Sequence, residues 1–334
     1  MKLAVVLFNL GGPDSPAAVE PFLRNLFSDP AILKLPSFAR LPLAWLIARR
    51  RAPVAREIYA KIGGRSPILE ETQAQANALQ SALSMHDTQV FIAMRCWKPF
   101  ADEAARAIKT WGADRVILLP LYPQFSTTTT GSSFADWPRA AAAAGLDVPT
   151  ARVCCYPDNL GFITALAALT HQTMARMREG ISYRMLLSAH GLPERISAND
   201  PYRLQIERTA SALVEGLGIE GLDWTVCYQS RVGPLKWIGP STDAEVRRAG
   251  ADGKGVVVVP IAFVSEHSET LVELDIDYAK LAGEVGVRDY LRVPTVGVQE
   301  AFIKGLAQLV LDVGGGRRFC PVGQLGCGYE QRAG

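Results

Sequence analysis

The chain has 334 residues, 49% of them hydrophobic and 20% charged, with a formal net charge of +2. That composition excludes a disordered or low-complexity chain, and the near-neutral balance supplies no overall field for nucleic acid. No run of apolar residues is long enough to span a bilayer, and six cysteines without a secretory leader pattern are expected free or metal-bound in a cytoplasmic protein.

Taken in order, Leu3–Asn9 reads as a buried strand that ends in Gly11-Gly12-Pro13. The G-x-G-x-x-G spacing is absent, which disfavours a nucleotide site. A helix is expected from about Ala17. The stretch Ala31–Arg51 then lies in a window without acids between Asp29 and Glu57. One reading makes it a core helix whose last turn carries arginines favourable to the dipole. The other makes it an interfacial segment, with Phe38, Leu43, Trp45, Leu46 and Ile47 facing lipid or an apolar ligand and Arg49, Arg50 and Arg51 meeting anionic groups. Gly63-Gly64-Arg65-Ser66-Pro67 breaks the chain before a helix over Leu69–Ser84.

Phe91–Arg95 and Arg115–Leu121 read as strands around a helix over Asp102–Trp111. A hydroxyl-rich loop, Tyr122 to Ser133, follows and leads into another helix. A further strand near Pro149–Tyr156 marks a boundary between an N-terminal lobe (1–150) and a second lobe (151–310), with a tail at 311–334.

The second half replays the first. Met185–Ser188 followed by Ala189-His190-Gly191 echoes the first strand and its Gly-Gly turn, Trp224–Tyr228 echoes the strand ending at Arg95, and Val256–Pro260 echoes Val116–Pro120. Two α/β lobes with parallel sheets, flanked by helices and facing one another across a cleft, are therefore expected, with functional groups at the carboxyl ends of the strands.

Two such strand ends carry chemistry. Glu269, Glu273 and Asp277 recur at every fourth position after the Val256–Val264 run, and five acids with no base lie between Ser265 and Ala279. Like charges at that spacing repel on a helix, so the ladder, with His267 beside it, points to a divalent cation or a proton relay. His190 is followed by Gly191, which leaves room for close approach and suits a base or metal ligand. Trp237, in a Gly/Pro-rich loop, is a candidate to stack on a planar ligand.

Together, Leu-Leu-Ser-Ala-His190-Gly-Leu-Pro, Tyr-Gln-Ser-Arg-Val-Gly-Pro-Leu-Lys-Trp237-Ile-Gly-Pro and Phe-Val-Ser-Glu-His267-Ser-Glu269-Thr-Leu-Val-Glu273-Leu-Asp-Ile-Asp-Tyr278 resemble the ferrochelatases, class II chelatases of bacterial type. The resemblance runs from Asn9-Leu-Gly-Gly-Pro to about residue 310. It implies insertion of ferrous iron, as substrate, into a dicarboxylate porphyrin, most simply protoporphyrin IX, in haem synthesis. It further implies His190 and Glu269 as the catalytic pair, and Glu273 with them about the metal. Trp237, Tyr122, Arg95, His267 and Ser66 are implied near the porphyrin, and 31–62 as a lip over its mouth with peripheral association at the cytoplasmic membrane face. Some members carry a [2Fe–2S] cluster held partly by the tail; Cys154, Cys155, Cys320 and Cys327 would supply four ligands here, although adjacent cysteines on a strand point to opposite faces. A non-catalytic tetrapyrrole or metal carrier, and a chelatase for another metal or tetrapyrrole, stay open on the residues alone.

Overall fold

The computed structural model describes residues 1–231, 233 and 235–315. Among these the chain forms two units, residues 1–155 with 306–315, and residues 156–305.

In the first unit four parallel strands, β1 (Leu3–Asn9), β2 (Thr88–Met94), β3 (Arg115–Pro120) and β4 (Thr150–Arg152), form a sheet in the order β2-β1-β3-β4. The second unit repeats that order with β5 (Tyr183–His190), β6 (Trp224–Gln229), β7 (Gly255–Pro260) and β8 (Tyr290–Arg292), as β6-β5-β7-β8. The repeat extends to register. Phe8 pairs with Pro120 in one sheet and Ser188 with Pro260 in the other, so both prolines close equivalent strands. The central strands have no wet face because helices cover both sides, which is why they are continuous apolar runs. On one face of the first sheet Ala4, Val6 and Phe8, at the strand period of two, pack on Phe134 and Trp137, both edge-on to Phe8 at about 6 Å. In the second unit Leu186, Val256 and Val258 pack on Val246, Leu274 and Ala282.

Helix starts at 101 and 130, and strand ends at 94 and 120, lie within a few residues of the sequence-based expectations. Two segments differ in kind. The helix Ser37–Ala60 buries Ala44, Ala48, Ala52 and Tyr59, the last three against Val19, Phe22 and Leu23 of the preceding helix, and leaves most of its large apolar side chains outside. Phe38 is 81% exposed, Leu41 50% and Trp45 45%. Alanines at intervals of four let the two helices approach closely, so the small residues form the core face, and the expectation of an ordinary core helix over 31–51 fails. The second surprise is the acidic segment. Glu269–Asp277 is a π-helix, continuing into an α-helix at Tyr278–Glu284. Its i→i+5 bonding widens each turn and changes which residues share a face, so Thr270 and Val272 are buried with Leu274, while Leu271 and Tyr278, which an α-helix would place on the Leu274 face, are only partly buried.

Candidate active site

β5 delivers His190 to its carboxyl end, and the loop after β7 leads through His267 into the π-helix that carries Glu269. These two stretches meet. His190 Nδ1 lies 2.8 Å from Glu269 Oε2, and His267 Nε2 is 3.7 Å from the same oxygen. One carboxylate thus faces two imidazoles. His267 is oriented from behind: its Nδ1 is 3.0 Å from the Ser265 carbonyl, its backbone N–H donates to Thr270 Oγ1, and its ring lies edge-on to Phe263.

A carboxylate only accepts, so His190 Nδ1 is the protonated nitrogen, and the lone pair of a neutral ring is on Nε2. Burial works against a charged ring, but the Glu269 carboxylate, helped by Glu273, outweighs it and raises the His190 pKa above the ordinary 6.5. At Glu269 burial would favour the neutral acid, yet His190 and His267 hold its pKa well below the ordinary carboxylate range.

Glu273 sits in a different environment. Its carboxylate accepts from the Ser230 backbone N–H at 2.7 Å, from Gln229 Nε2 at 3.1 Å, from the Tyr278 hydroxyl at 2.9 Å and from the Ser230 hydroxyl. Those four donors match the four lone-pair sites a carboxylate offers. Among the described residues no group of three or more His, Cys, Asp or Glu side chains is arranged to hold a metal ion. Asp277, the last step of the ladder, is exposed.

Gln229, the last residue of β6, is fully buried, and its amide joins three elements. Oε1 accepts from Ser188 of β5, while Nε2 donates to the Glu269 carbonyl at 2.8 Å as well as to Glu273. The next residue, Ser230, has φ of 61°, unusual for a side chain with a Cβ, and this turn aims both its N–H and its hydroxyl at Glu273. Gly191 is explained by its neighbours. A Cβ there would stand 2.8 Å from the Gln229 carbonyl and 3.3 Å from the Trp237 ring. Trp237 itself is strapped to the turn after His190, with Ile238 N–H donating to the Leu192 carbonyl at 3.0 Å and Glu194 N–H to that of Lys236 at 2.9 Å.

The other expected substrate contacts, Ser66, Arg95 and Tyr122, belong to the first unit. Ser66 is packed beneath the Gly11-Gly12 turn, where a Cβ on Gly12 would lie 2.5 Å from its own. Arg95 donates to Ser132 at 2.6 Å and pairs at 2.9 Å with the buried Asp29, and it lines an open cleft with Asn25, Phe100 and Arg139. Burial raises the Tyr122 phenol well above its usual pKa. Burial likewise pushes the Cys96 and Cys227 thiols up to about 12, so neither is a thiolate at neutral pH. Cys154 and Cys155 are buried beside Phe125, two and three residues beyond the end of β4, so strand alternation does not force them apart. Cys320 and Cys327 lie outside the described residues.

The ferrochelatase family model matches residues 2–313. This chain belongs to that family. Among relatives named ferrochelatase, that of Phenylobacterium zucineum is 56% identical over 316 residues, covering 93% of this chain and 91% of its own, and that of Caulobacter vibrioides is 54% identical over 316 residues, covering 93% and 90%. The fold is also that of the sirohydrochlorin chelatase SirB of Bacillus subtilis subspecies spizizenii in complex with cobalt, with a TM-score of 0.54, 11% identity, and 97% and 99% of the two chains covered. Gln229, Ser230 and Ser188 were not singled out in the sequence. The available signal was a glutamine ending an apolar strand: a buried amide must find partners for every polar atom.

Proposed function

We propose that this chain inserts ferrous iron into a dicarboxylate porphyrin, protoporphyrin IX, forming haem and releasing two protons. The observation that carries the mechanism is the 2.8 Å contact between His190 Nδ1 and Glu269. Two pyrrole N–H bonds must break as iron–nitrogen bonds form, so a base is needed beside the macrocycle. Glu269 holds the His190 ring in the tautomer with Nε2 bare and makes that nitrogen more basic by stabilising the imidazolium. His190 Nε2 takes a pyrrole proton or hands over iron, and Glu269 balances the positive charge in either step. Glu273 lies within the same acidic stretch; its four donors support the role of anchor, which leaves iron to His190 and Glu269. Trp237, Tyr122, Arg95, His267 and Ser66 are assigned to holding and bending the porphyrin, with strain supplied by its remote contacts.

The exposed apolar face Phe38, Leu41 and Trp45, with Arg49 over the Trp45 ring at 5.4 Å, supports a lip that rests on an anionic membrane surface, on the cytoplasmic side, where a hydrophobic substrate partitions. No helix of the described residues is long and apolar enough to cross a membrane. A [2Fe–2S] cluster on Cys154, Cys155, Cys320 and Cys327 would tie the tail to the body. Anaerobic protein should then hold about two iron and two acid-labile sulfide atoms per chain, and Cys154→Ser should remove them; colourless protein would dismiss the cluster.

The catalytic reading is tested by porphyrin absorbance with ferrous iron under anaerobic conditions. His190→Ala and Glu269→Gln should each lower turnover by ~10²–10⁴, the usual worth of a positioned proton-transfer group. Near-normal turnover in either removes that residue from the mechanism.

A further inference from the structure

A π-helix of nine residues is uncommon, since such geometry is usually confined to a single turn, and it requires support from outside its own backbone. In this chain the support comes from the edge strand β8. Arg292 is largely buried, with 11% of its side chain exposed. Its Nη1 reaches Glu266 Oε1 at 2.6 Å, and Nε with Nη2 fork onto the Asp275 carboxylate, with Nε at 2.7 Å. Two residues back along β8, the Tyr290 hydroxyl donates to the Leu274 carbonyl at 2.7 Å. The Thr295 N–H then adds a bond to Glu266 at 3.0 Å.

The contacts bracket Glu269. Glu266 precedes the π-helix, Leu274 and Asp275 lie near its far end, and Glu269 is between them in sequence, at the helix start. A bidentate Arg–carboxylate fork fixes direction as well as distance, which a lysine cannot do.

We propose that Arg292, assisted by Tyr290, is a positioning residue for iron insertion: it clamps the π-helix at both ends and so holds Glu269 against His190. The proposal rests on the assignment of Glu269 to the reaction. Misplacement of a reacting group by about 1 Å can cost on the order of 100-fold in rate. Substrate contacts are not made by Arg292 in this reading, so the loss appears in kcat and not in KM.

The test is a double-mutant cycle on the full chain, with kcat and KM for porphyrin and iron measured anaerobically. Arg292→Lys should lower kcat by ~10–100-fold with KM within about twofold, and Tyr290→Phe should lower it by a smaller factor. In the Glu269→Gln background, Arg292→Lys should add almost nothing, because its effect passes through Glu269. Should Arg292→Lys fail to fold, Tyr290→Phe completes the same cycle. Wild-type kcat in both folded variants, or a loss that is fully additive with Glu269→Gln, overturns the clamp. Wild-type turnover in Glu269→Gln itself overturns the underlying assignment, and the clamp with it. Impaired Glu269→Gln beside normal Arg292→Lys and Tyr290→Phe overturns the clamp alone.

Discussion

Replacing Glu273 with alanine separates an anchoring carboxylate from one that handles iron. The substitution strands four donors. The hydroxyls of Ser230 and Tyr278 can rotate to new partners, whereas the Ser230 N–H and one N–H of the buried Gln229 amide cannot. A stranded buried donor costs about 1–3 kcal/mol. Two give about 2–6 kcal/mol, and because Ser230 is only partly buried the expectation is the lower part of that range, about 2–4 kcal/mol. For a domain of 150–250 residues one kcal/mol moves Tm by about 2–4 °C, so Tm should fall by roughly 4–16 °C. The loss of those bonds also releases Ser230 from its strained turn beside Gln229, so KM for porphyrin should rise. Glu273→Gln keeps the shape and one accepting oxygen and should fall between wild type and Glu273→Ala. Thermal unfolding followed by circular dichroism at fixed pH, with steady-state kinetics on the same samples, gives both quantities. A wild-type Tm with collapsed turnover in Glu273→Ala would refute the anchor and return Glu273 to the metal.

The His190–Glu269 pair predicts a pH window. Glu269, with its pKa lowered, contributes stability that is present above the ordinary carboxylate range and lost as pH falls through its folded value. His190, with its pKa raised, contributes stability present below the ordinary histidine value and lost as pH rises through its folded one. Denaturant unfolding across pH should therefore show a wild-type advantage over Glu269→Gln that shrinks at both ends, and a constant difference would argue against the pair. Gly191→Ala should cost about 1–3 kcal/mol by overpacking, because the backbone carbonyl it meets cannot give way, and its stability curve should reveal this; an unchanged curve would mean the turn after His190 relaxes freely. Phe38→Ser with Trp45→Ser should reduce sedimentation with anionic liposomes, and Arg49, Arg50 and Arg51 changed to Gln should do so by about 1 kcal/mol per charge at low salt. Equal partitioning by all forms would dismiss the lip.

The parallel sheets were legible because β1, β3, β5 and β7 are buried on both faces, and an unbroken β-branched run such as Val256–Val259 has few other uses. The repeat was legible from Pro120 and Pro260, and His190 from its place at a strand end. The π-helix was not, because Leu271, Leu274 and Tyr278 carry ordinary α-periodicity, and the contacts that bracket the segment come from Arg292 and Tyr290, which lie outside it in sequence. The face of the helix Ser37–Ala60 stayed open between two readings for a related reason. Hydrophobicity ranks Phe38 and Trp45 above Ala44 and Ala48, but close helix packing selects for small size. Gln229 is silent in any local pattern, since its role consists of three contacts made by folding.

The most direct test of the central claim is a single turnover under anaerobic conditions, with porphyrin, ferrous iron and this chain in weak buffer, following absorbance and proton release together. Conversion to the haem spectrum with two protons released per porphyrin consumed is the predicted result. Bound porphyrin with an unaltered free-base spectrum and no proton release would make the chain a carrier and contradict the account.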